Sequence, residues 1–205
     1  MAAINLDPFK TQGAFSGLFN VESRGLTQGD AQDDPAIRMQ LCSGTLTDDL
    51  DAPVWGGLGV VECISTVETN VSGSTIKKAT ASVCNAFSVF NQAYHGITTA
   101  SNPVPLYLAG SSIHYYRVGS GARIPLPISA NVAALATGND PVGADGFVWD
   151  LVNNCVDVYS SSSSANPKVN ISLLMVSQQG NLTVKKDTDG NVVWENDKPC
   201  GLFLI

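Results

Sequence analysis

The sequence predicts a mainly β protein, an antiparallel β-sandwich or barrel with an extended N-terminal arm. Three observations support this prediction. Short runs of β-branched and aromatic residues recur along the chain, turn residues separate them, and no stretch keeps the 3.6-residue period of a long helix. The 19 glycines and 10 prolines among 205 residues supply the turn chemistry that many short strands need.

The chain divides into an arm, residues 1–35, and a β-rich domain, residues 36–205. The arm contains glycines and scattered aromatic residues but has no regular hydrophobic period. The remaining length is sufficient for one domain with its own core. We expect the aromatic residues of the arm to anchor it either to a neighbouring molecule or to its own domain: Phe9, Phe15 and Phe19.

The first part of the domain contains one short alternating segment and one glycine-rich segment. Residues 37–41 alternate apolar with polar side chains, which predicts a strand with Ile37, Met39 and Leu41 on its buried face. Trp55 is followed by Gly56 and Gly57, a pattern typical of a close-packed turn whose indole fills a pocket.

Further strands are predicted along the rest of the chain. Residues 75–100 fit either a helical face or strands, and their many Ser, Thr and Asn residues favour strands and loops. The apolar end, residues 201–205, is either a final core strand or a docking tail. The other predicted strands cover residues 60–67, 103–108, 113–118, 147–159 with a break at 153–154, 169–176, and a hairpin over 184–192 that turns at Asp189-Gly190. Proline geometry predicts an extended backbone over residues 123–127.

Charge and hydropathy restrict the classes of partner. Only 14% of the residues are charged and the net charge is −7, so much of the surface is neutral. A neutral surface suits large permanent contacts, and it is equally typical of a β-rich domain with polar loops. Direct nucleic-acid binding requires a basic stripe that this chain lacks. The chain also lacks the pattern of a signal peptide or of a membrane span, so we expect no membrane partner and assembly in the cytoplasm of the producing cell.

The cysteines and acidic residues do not predict a metal or cofactor site. The five cysteines are far apart and form no Cys-x-x-Cys pair, so we interpret them as free, mostly buried thiols. Asp187 and Asp189 resemble the start of a calcium loop, but Lys185 occupies the first ligand position and Asn196 the twelfth. We therefore expect no metal and no cofactor.

Catalytic signatures are also missing from the sequence. It has no nucleophile elbow, phosphate-binding loop or zinc-protease motif. The paired carboxylates at 33–34 and 48–49 lie in loop-like surroundings that favour solvated turns. We expect that the protein is not an enzyme, and the alternative is a hydrolase that uses His95 or His114 with an aspartate.

One stretch resembles a known family. It consists of the segment Ala-Ile-Arg-Met-Gln-Leu (36–41), the segment Gly-Thr-Leu-Thr-Asp-Asp (44–49) and the segment Pro-Val-Trp-Gly-Gly-Leu-Gly-Val (53–60). These segments resemble the start of the structural cement, or head decoration, proteins of tailed bacteriophages. The resemblance covers roughly the first third of the chain, which also contains Asn-Leu-Asp-Pro-Phe (5–9) and Gly-Leu-Thr-Gln-Gly-Asp (25–30).

The resemblance implies a β-rich virion protein without catalytic residues. Such a protein would bind the outside of a phage head, bridge and stabilise major capsid subunits, and form a homo-oligomer, a dimer or a trimer. Its location would be the capsid exterior, after assembly in the host cytoplasm. Combining the resemblance with the residue patterns, we predict these interface residues: Phe9, Phe15, Phe19, Arg38, Trp55, Gly56, Gly57 and Phe203.

A second hypothesis is a tail or fibre protein that binds a host glycan. Exposed aromatic rings can stack on sugars, and the sequence has a group of aromatic residues between 94 and 116, followed by a later tryptophan. The alternative for each ring is a place in the core. The residues concerned are Tyr94, His95, Tyr107, Tyr115, Tyr116 and Trp149.

Overall fold

The computed structural model describes residues 25–32, 35–47, 53–64, 74–90, 104–135, 146–160 and 165–205. Within these ranges the protein is mainly β, which confirms the predicted fold class. In chain order the elements are α1 (Pro35–Arg38), β1 (Cys42–Leu46), β2 (Gly59–Cys63), β3 (Ser74–Lys78), β4 (Ala86–Ser88), β5 (Ser112–Arg117), β6 (Arg123–Pro127), α2 (Ala130–Ala134), β7 (Phe147–Asp150), β8 (Cys155–Val158), β9 (Lys168–Val169), β10 (Ser172–Ser177), β11 (Leu182–Lys186), β12 (Val192–Asn196) and β13 (Cys200–Leu204).

The first five strands form a small closed barrel in the order β1-β3-β2-β4-β5. The barrel closes because β5 also pairs with β1. Its pairings are antiparallel apart from the parallel pair of β1 and β3. Closure leaves these five strands without an open edge, which removes the usual site of strand-to-strand aggregation.

The later strands form three further sheets within the described residues. One has the order β10-β13-β6, another has the order β8-β7-β9, and the third is the hairpin of β11 and β12. The β7–β8 turn and the β11–β12 hairpin confirm the predicted breaks at 153–154 and at Asp189-Gly190. Gly190 adopts a φ of +83°, which explains why glycine follows the aspartate at this turn.

Aromatic pairs connect the barrel to the other sheets. Phe87 of β4 meets Trp149 of β7 edge-on, with ring centroids 5.5 Å apart. Phe147 of β7 then meets Phe203 of β13 at 90°, with centroids 5.4 Å apart. Edge-to-face pairs of this kind add stability beyond the area that they bury. The core therefore runs continuously from the barrel through β7 to the C-terminal strand.

Two of the predicted strands are corrected by the structure. Residues 35–38 form α1, and a turn at residues 39–40 leads to β1. Pro35 stands at the first helical position, where its fixed φ favours a helix, and the N–H groups of Gln40 and Leu41 bond back to carbonyls in α1. Met39 is consequently 89% exposed and does not face a core. Residues 104–108, in turn, form no strand and contain isolated bridge positions at 106 and 107, of which Tyr107 pairs with Val54.

The ambiguous stretch at residues 75–100 contains strands in its described part, namely β3 and β4, whereas residues 91–100 lie outside the described residues. The same is true of residues 65–67, so the described part of the predicted 60–67 strand is β2. The segment at residues 169–176 is divided into β9 and β10. These outcomes favour the strand alternative, because Ser, Thr and Asn compete with helical hydrogen bonds.

The described part of the predicted arm is built into the domain. Residues 25–32 lie against the β11–β12 hairpin, β6 and the barrel, and Leu26 and Gln28 are buried. The Gln28 N–H donates to the Leu182 carbonyl at 2.8 Å, and the Gly29 N–H donates to the Pro125 carbonyl at 2.9 Å. Residues 1–24 and 33–34 lie outside the described residues, so the remainder of the arm stays a prediction.

Candidate functional site

The predicted interface residues separate into three groups. Phe9, Phe15 and Phe19 lie outside the described residues. Arg38 is exposed at the end of α1, as an interface residue must be. The other four are buried within the chain, so they stabilise the fold and do not form a contact surface: Trp55, Gly56, Gly57 and Phe203.

The Trp55-Gly56-Gly57 turn is close-packed, but its neighbour is the chain's own segment 25–32. The Gln28 side-chain amide donates to the carbonyls of Gly56, at 3.1 Å, and Gly57, at 3.4 Å. A Cβ atom on Gly56 would stand 2.6 Å from the Phe90 ring, and Gly57 has a φ of +78°. Both glycines are therefore required for packing inside the molecule.

The C-terminal segment is a core strand, which settles the choice between core and docking tail for this part of the chain. β13 is the middle strand of its sheet and pairs with both β10 and β6. Phe203 is fully buried against Phe147. The last residue, Ile205, is also buried, and its N–H donates to the Ala122 carbonyl at 2.9 Å.

The first exposed surface, which we call the Met39 surface, consists of Arg38 at the end of α1, the turn at residues 39–40 and the cavity beside this turn. The cavity has a volume of about 380 Å³ and is lined by residues 39–42 and 117–120. Met39 is 89% exposed at its rim. A flexible, polarisable thioether next to an open concavity is suited to contact with another protein.

A polar network fixes the barrel wall beside this cavity. The Arg117 guanidinium donates from Nη2 to Oε1 of Glu62 at 2.7 Å and from Nε to Oε2, so the pair is bidentate. Ser74 and Tyr115 also donate to Oε1 of the same carboxylate. The hydrogen bond from Arg117, followed by those from Ser74 and Tyr115, lowers the pKa of Glu62 to about 2. These four residues come from β2, β3 and β5, so the network joins three barrel strands.

Cys42 lines the same cavity without the properties of a nucleophile. Burial raises the pKa of its thiol, and the Sγ–H group donates to the Gln40 carbonyl at 3.4 Å. A protonated thiol is a poor nucleophile. All five cysteines are free, and burial raises the pKa of Cys84, Cys155 and Cys200 to about 12.

The aromatic residues considered for glycan stacking are buried where the structure describes them. Tyr107, Tyr115, Tyr116 and Trp149 are at most 3% exposed. Their rings belong to the core and cannot stack on a sugar. Tyr94 and His95 lie outside the described residues. His114 is buried as well, and this burial lowers the pKa of its imidazole and favours the neutral form.

The acidic residues of the described hairpin form a turn. The Asp187 carboxylate accepts hydrogen bonds from the backbone N–H groups of Asp189 and Asn191 at 2.9 and 2.8 Å. The described ranges contain no group of three or more His, Cys, Asp or Glu side chains placed to hold a metal ion. Neither α1 nor α2 has the length or apolar character that a helix needs to cross a membrane.

The second exposed surface, which we call the β10 surface, lies on the sheet β10-β13-β6. Leu174 and Met175 of β10 are 48% and 47% exposed, and Leu204 of β13 is exposed beside them. The sequence pattern predicts a strand at residues 169–176 but does not predict that its outer face is exposed. The available signal was the uncharged run from residue 169 to residue 184, which is long for a solvated edge.

Comparison with known proteins gives no relative for this chain. No family model, no curated protein and no solved structure matches it.

Proposed function

We propose that this protein is a virion structural protein, a decoration or cement protein that binds the outside of a phage head. In this role it bridges neighbouring major capsid subunits and stabilises the shell by binding, without catalysis. The proposal combines the resemblance of residues 36–60 with the surface that part of this stretch leaves exposed. It places the protein on the capsid exterior, where a net charge of −7 is kept away from the packaged DNA.

The observation that supports the proposal most directly is the exposure of Arg38 and of the turn at residues 39–40. Within the resembling stretch, the segment 54–60 is buried in the core, whereas Arg38 and Met39 are exposed and Met39 lines the cavity. The stretch thus divides into a part that builds the barrel and a part that can contact a partner. We propose that the Met39 surface contacts a capsid subunit, with Met39 as the apolar anchor and Arg38 as a charged contact at its edge.

Many weak contacts of this kind stabilise a shell cooperatively. When one oligomer holds two or more capsid sites, each additional contact forms at a high effective concentration. The contribution of a single Met39 surface can therefore be small while the stabilisation of the whole head is large.

The test is co-sedimentation of the purified protein with heads that lack it. We expect saturable binding and retention of the genome at higher temperature than in undecorated heads. Met39→Asp should weaken binding about tenfold or more, because a carboxylate then replaces an apolar anchor. Val152→Asp is the matched control, because Val152 is 85% exposed in the β7–β8 turn, away from the Met39 surface. Unchanged heat tolerance of heads with and without the protein would contradict the proposal.

A further inference from the structure

β10 is an edge strand without the charged residues or proline that usually protect such strands against pairing. In the described part of the chain it pairs with β13 on one side and with no strand on the other. Its sequence, Ser-Leu-Leu-Met-Val-Ser, has no charge, no proline and no glycine. Edge strands of soluble proteins are usually protected by charged residues or proline, because an open edge pairs readily with another strand.

A bulge gives β10 an unusual symmetry. Ser172 and Leu173 pair with Leu204 and Phe203, but the register then shifts, so that Met175 pairs with Leu202. Phe203 is buried on the inner face, whereas Leu204 is exposed on the outer face. Two residues of a bulged strand oppose one residue of the partner, so exposed Leu174 and Met175 both belong to the outer face.

The inner and outer positions of β10 are therefore palindromic. From residue 172 to residue 177 the order is outer, inner, outer, outer, inner, outer, with its centre between Leu174 and Met175. We consider a second copy of β10 that runs antiparallel to the first and is related to it by a two-fold axis at this centre. Every residue then lies opposite a residue on the same face of the sheet. Leu174 then lies opposite Met175 of the second copy, and Leu173 opposite Val176. Shifting the pairing by one residue would place inner residues opposite outer ones.

Charge also favours a second copy as the occupant. Residues 169–184 contain no charged side chain, so two copies meet across this edge without like-charge repulsion. On the outer face of the joined sheet, Leu174, Met175 and Leu204 of both copies then form one continuous apolar surface. If a capsid segment or residues 1–24 of this chain paired with β10 instead, the palindromic order of its faces would not be required.

We propose that two copies of this protein associate through β10 in an antiparallel arrangement about a two-fold axis between Leu174 and Met175. The pairing joins two three-stranded sheets into one six-stranded sheet and gives an isologous interface. This inference does not depend on capsid binding, because it concerns only the oligomeric state of the isolated protein.

The test is sedimentation equilibrium of the full chain over a wide concentration range. We expect a dimer, and the variants Leu174→Lys and Met175→Lys should weaken the dimer about tenfold or more because they place charge at its centre. Val152→Lys is the matched control and should leave the dissociation constant unchanged. Far-ultraviolet circular dichroism and the melting temperature show whether each variant is folded.

Cross-linking tests the register of the pairing. Differently tagged Leu174→Cys and Met175→Cys proteins, mixed under mild oxidation, should form a disulfide between the two chains, because opposite residues lie close enough. A mixture of the Leu174→Cys and Val152→Cys proteins is the control and should not form this disulfide. A dimer that fails to form the 174–175 cross-link overturns the proposed register.

Three other results would overturn the inference. The first is a wild-type protein that stays monomeric over the whole concentration range. The second is a dimer that Leu174→Lys and Met175→Lys leave intact. The third is a protein that dimerises only after removal of residues 1–24, since the arm would then occupy the edge. A protein that dimerises through β10 but does not bind heads contradicts the proposed function alone.

Discussion

Gln28 and Gly56 are joined by a buried hydrogen bond of 3.1 Å, from the side-chain amide of the first to the carbonyl of the second. The same side chain accepts a hydrogen bond from the Val184 N–H through its Oε1 atom at 2.9 Å. Gln28 is fully buried, so one polar side chain connects the end of the predicted arm, the glycine turn and the β11–β12 hairpin.

We expect Gln28→Ala to destabilise the protein by about 2–4 kcal/mol, because it leaves the buried Gly56 carbonyl and the partly buried Val184 N–H without their partner. Urea denaturation measures the free energy of unfolding. Gln32→Ala is the matched control, because Gln32 is exposed and bonds through its backbone N–H to Arg123, so we expect a change within about 0.5 kcal/mol. Equal effects of the two substitutions would show that the Gln28 side chain does not connect these segments.

Two truncated proteins, one without residues 1–24 and one without residues 1–29, distinguish the rest of the arm from the part that packs in the core. Deleting residues 1–29 removes buried Leu26 and Gln28 and their backbone hydrogen bonds to the β11–β12 hairpin. We expect the loss of cooperative unfolding, or a melting temperature at least about 8 °C lower than that of the chain that lacks only residues 1–24. Equal melting temperatures of the two truncated proteins would contradict the packing of residues 25–29.

Gly57→Ala tests the close approach of the glycine turn. A Cβ atom there would meet the Gln28 side chain at 2.5 Å, in addition to the strain of a φ of +78°. Gly190→Ala is a suitable control, because Gly190 has a φ of +83° but no atom within 4 Å of the new Cβ. We expect about 1–2 kcal/mol of destabilisation for Gly190→Ala from the backbone strain alone. Gly57→Ala should lower the free energy of unfolding by at least about 1 kcal/mol more than Gly190→Ala does, as measured by chemical denaturation.

The ion pair of Glu62 and Arg117 should make stability depend on pH in the acid range. The hydrogen bond from Arg117 lowers the pKa of Glu62 from 4.5 to about 2. The ionised carboxylate therefore stabilises the folded state to its full extent above pH 4.5. This stabilisation is lost as the pH falls from 4.5 towards 2, because over this range the unfolded state binds a proton at Glu62 whereas the folded state keeps the carboxylate ionised. Arg117 is more than half exposed to solvent, so we expect the ion pair to add only about 1 kcal/mol to the free energy of unfolding.

The measurement compares the melting temperature of the wild type with that of Glu62→Gln between pH 7 and pH 2. The wild type should be more stable at neutral pH, and the difference should decrease as the pH falls below 4.5. Glu195→Gln is a control that removes an acidic partner of Lys185 on the distant β11–β12 hairpin. A difference that stays constant down to pH 2 would show that the Glu62 carboxylate gains nothing from folding.

Much of the local structure could be predicted from the sequence. The break at 153–154 and the turn at Asp189-Gly190 are encoded by a few adjacent residues, because turn geometry depends on local backbone conformation. The apolar side chains at the C-terminus left a core strand and a docking tail as alternatives, and the strand pairing decides for the core strand. The error at residues 37–41 has a local cause as well, since Pro35 starts a helix whose turn leaves Met39 exposed.

The candidate surfaces could not be predicted in the same way. Met39 and Phe203 are both large and apolar, and the sequence gives no reason to place one outside and the other inside. Phe203 is buried because β13 lies between β6 and β10, and this strand order joins residues that are far apart in the chain.

By itself, the sequence of this protein determined the fold class, several of its turns and the low charge of its surface, because these properties depend on neighbouring residues and composition. The tertiary structure decided which apolar side chains became core, that Gln28 belongs to the domain, and that β10 lies at an open edge. Those outcomes depend on the order of strands in the sheets, which is fixed by packing between distant segments.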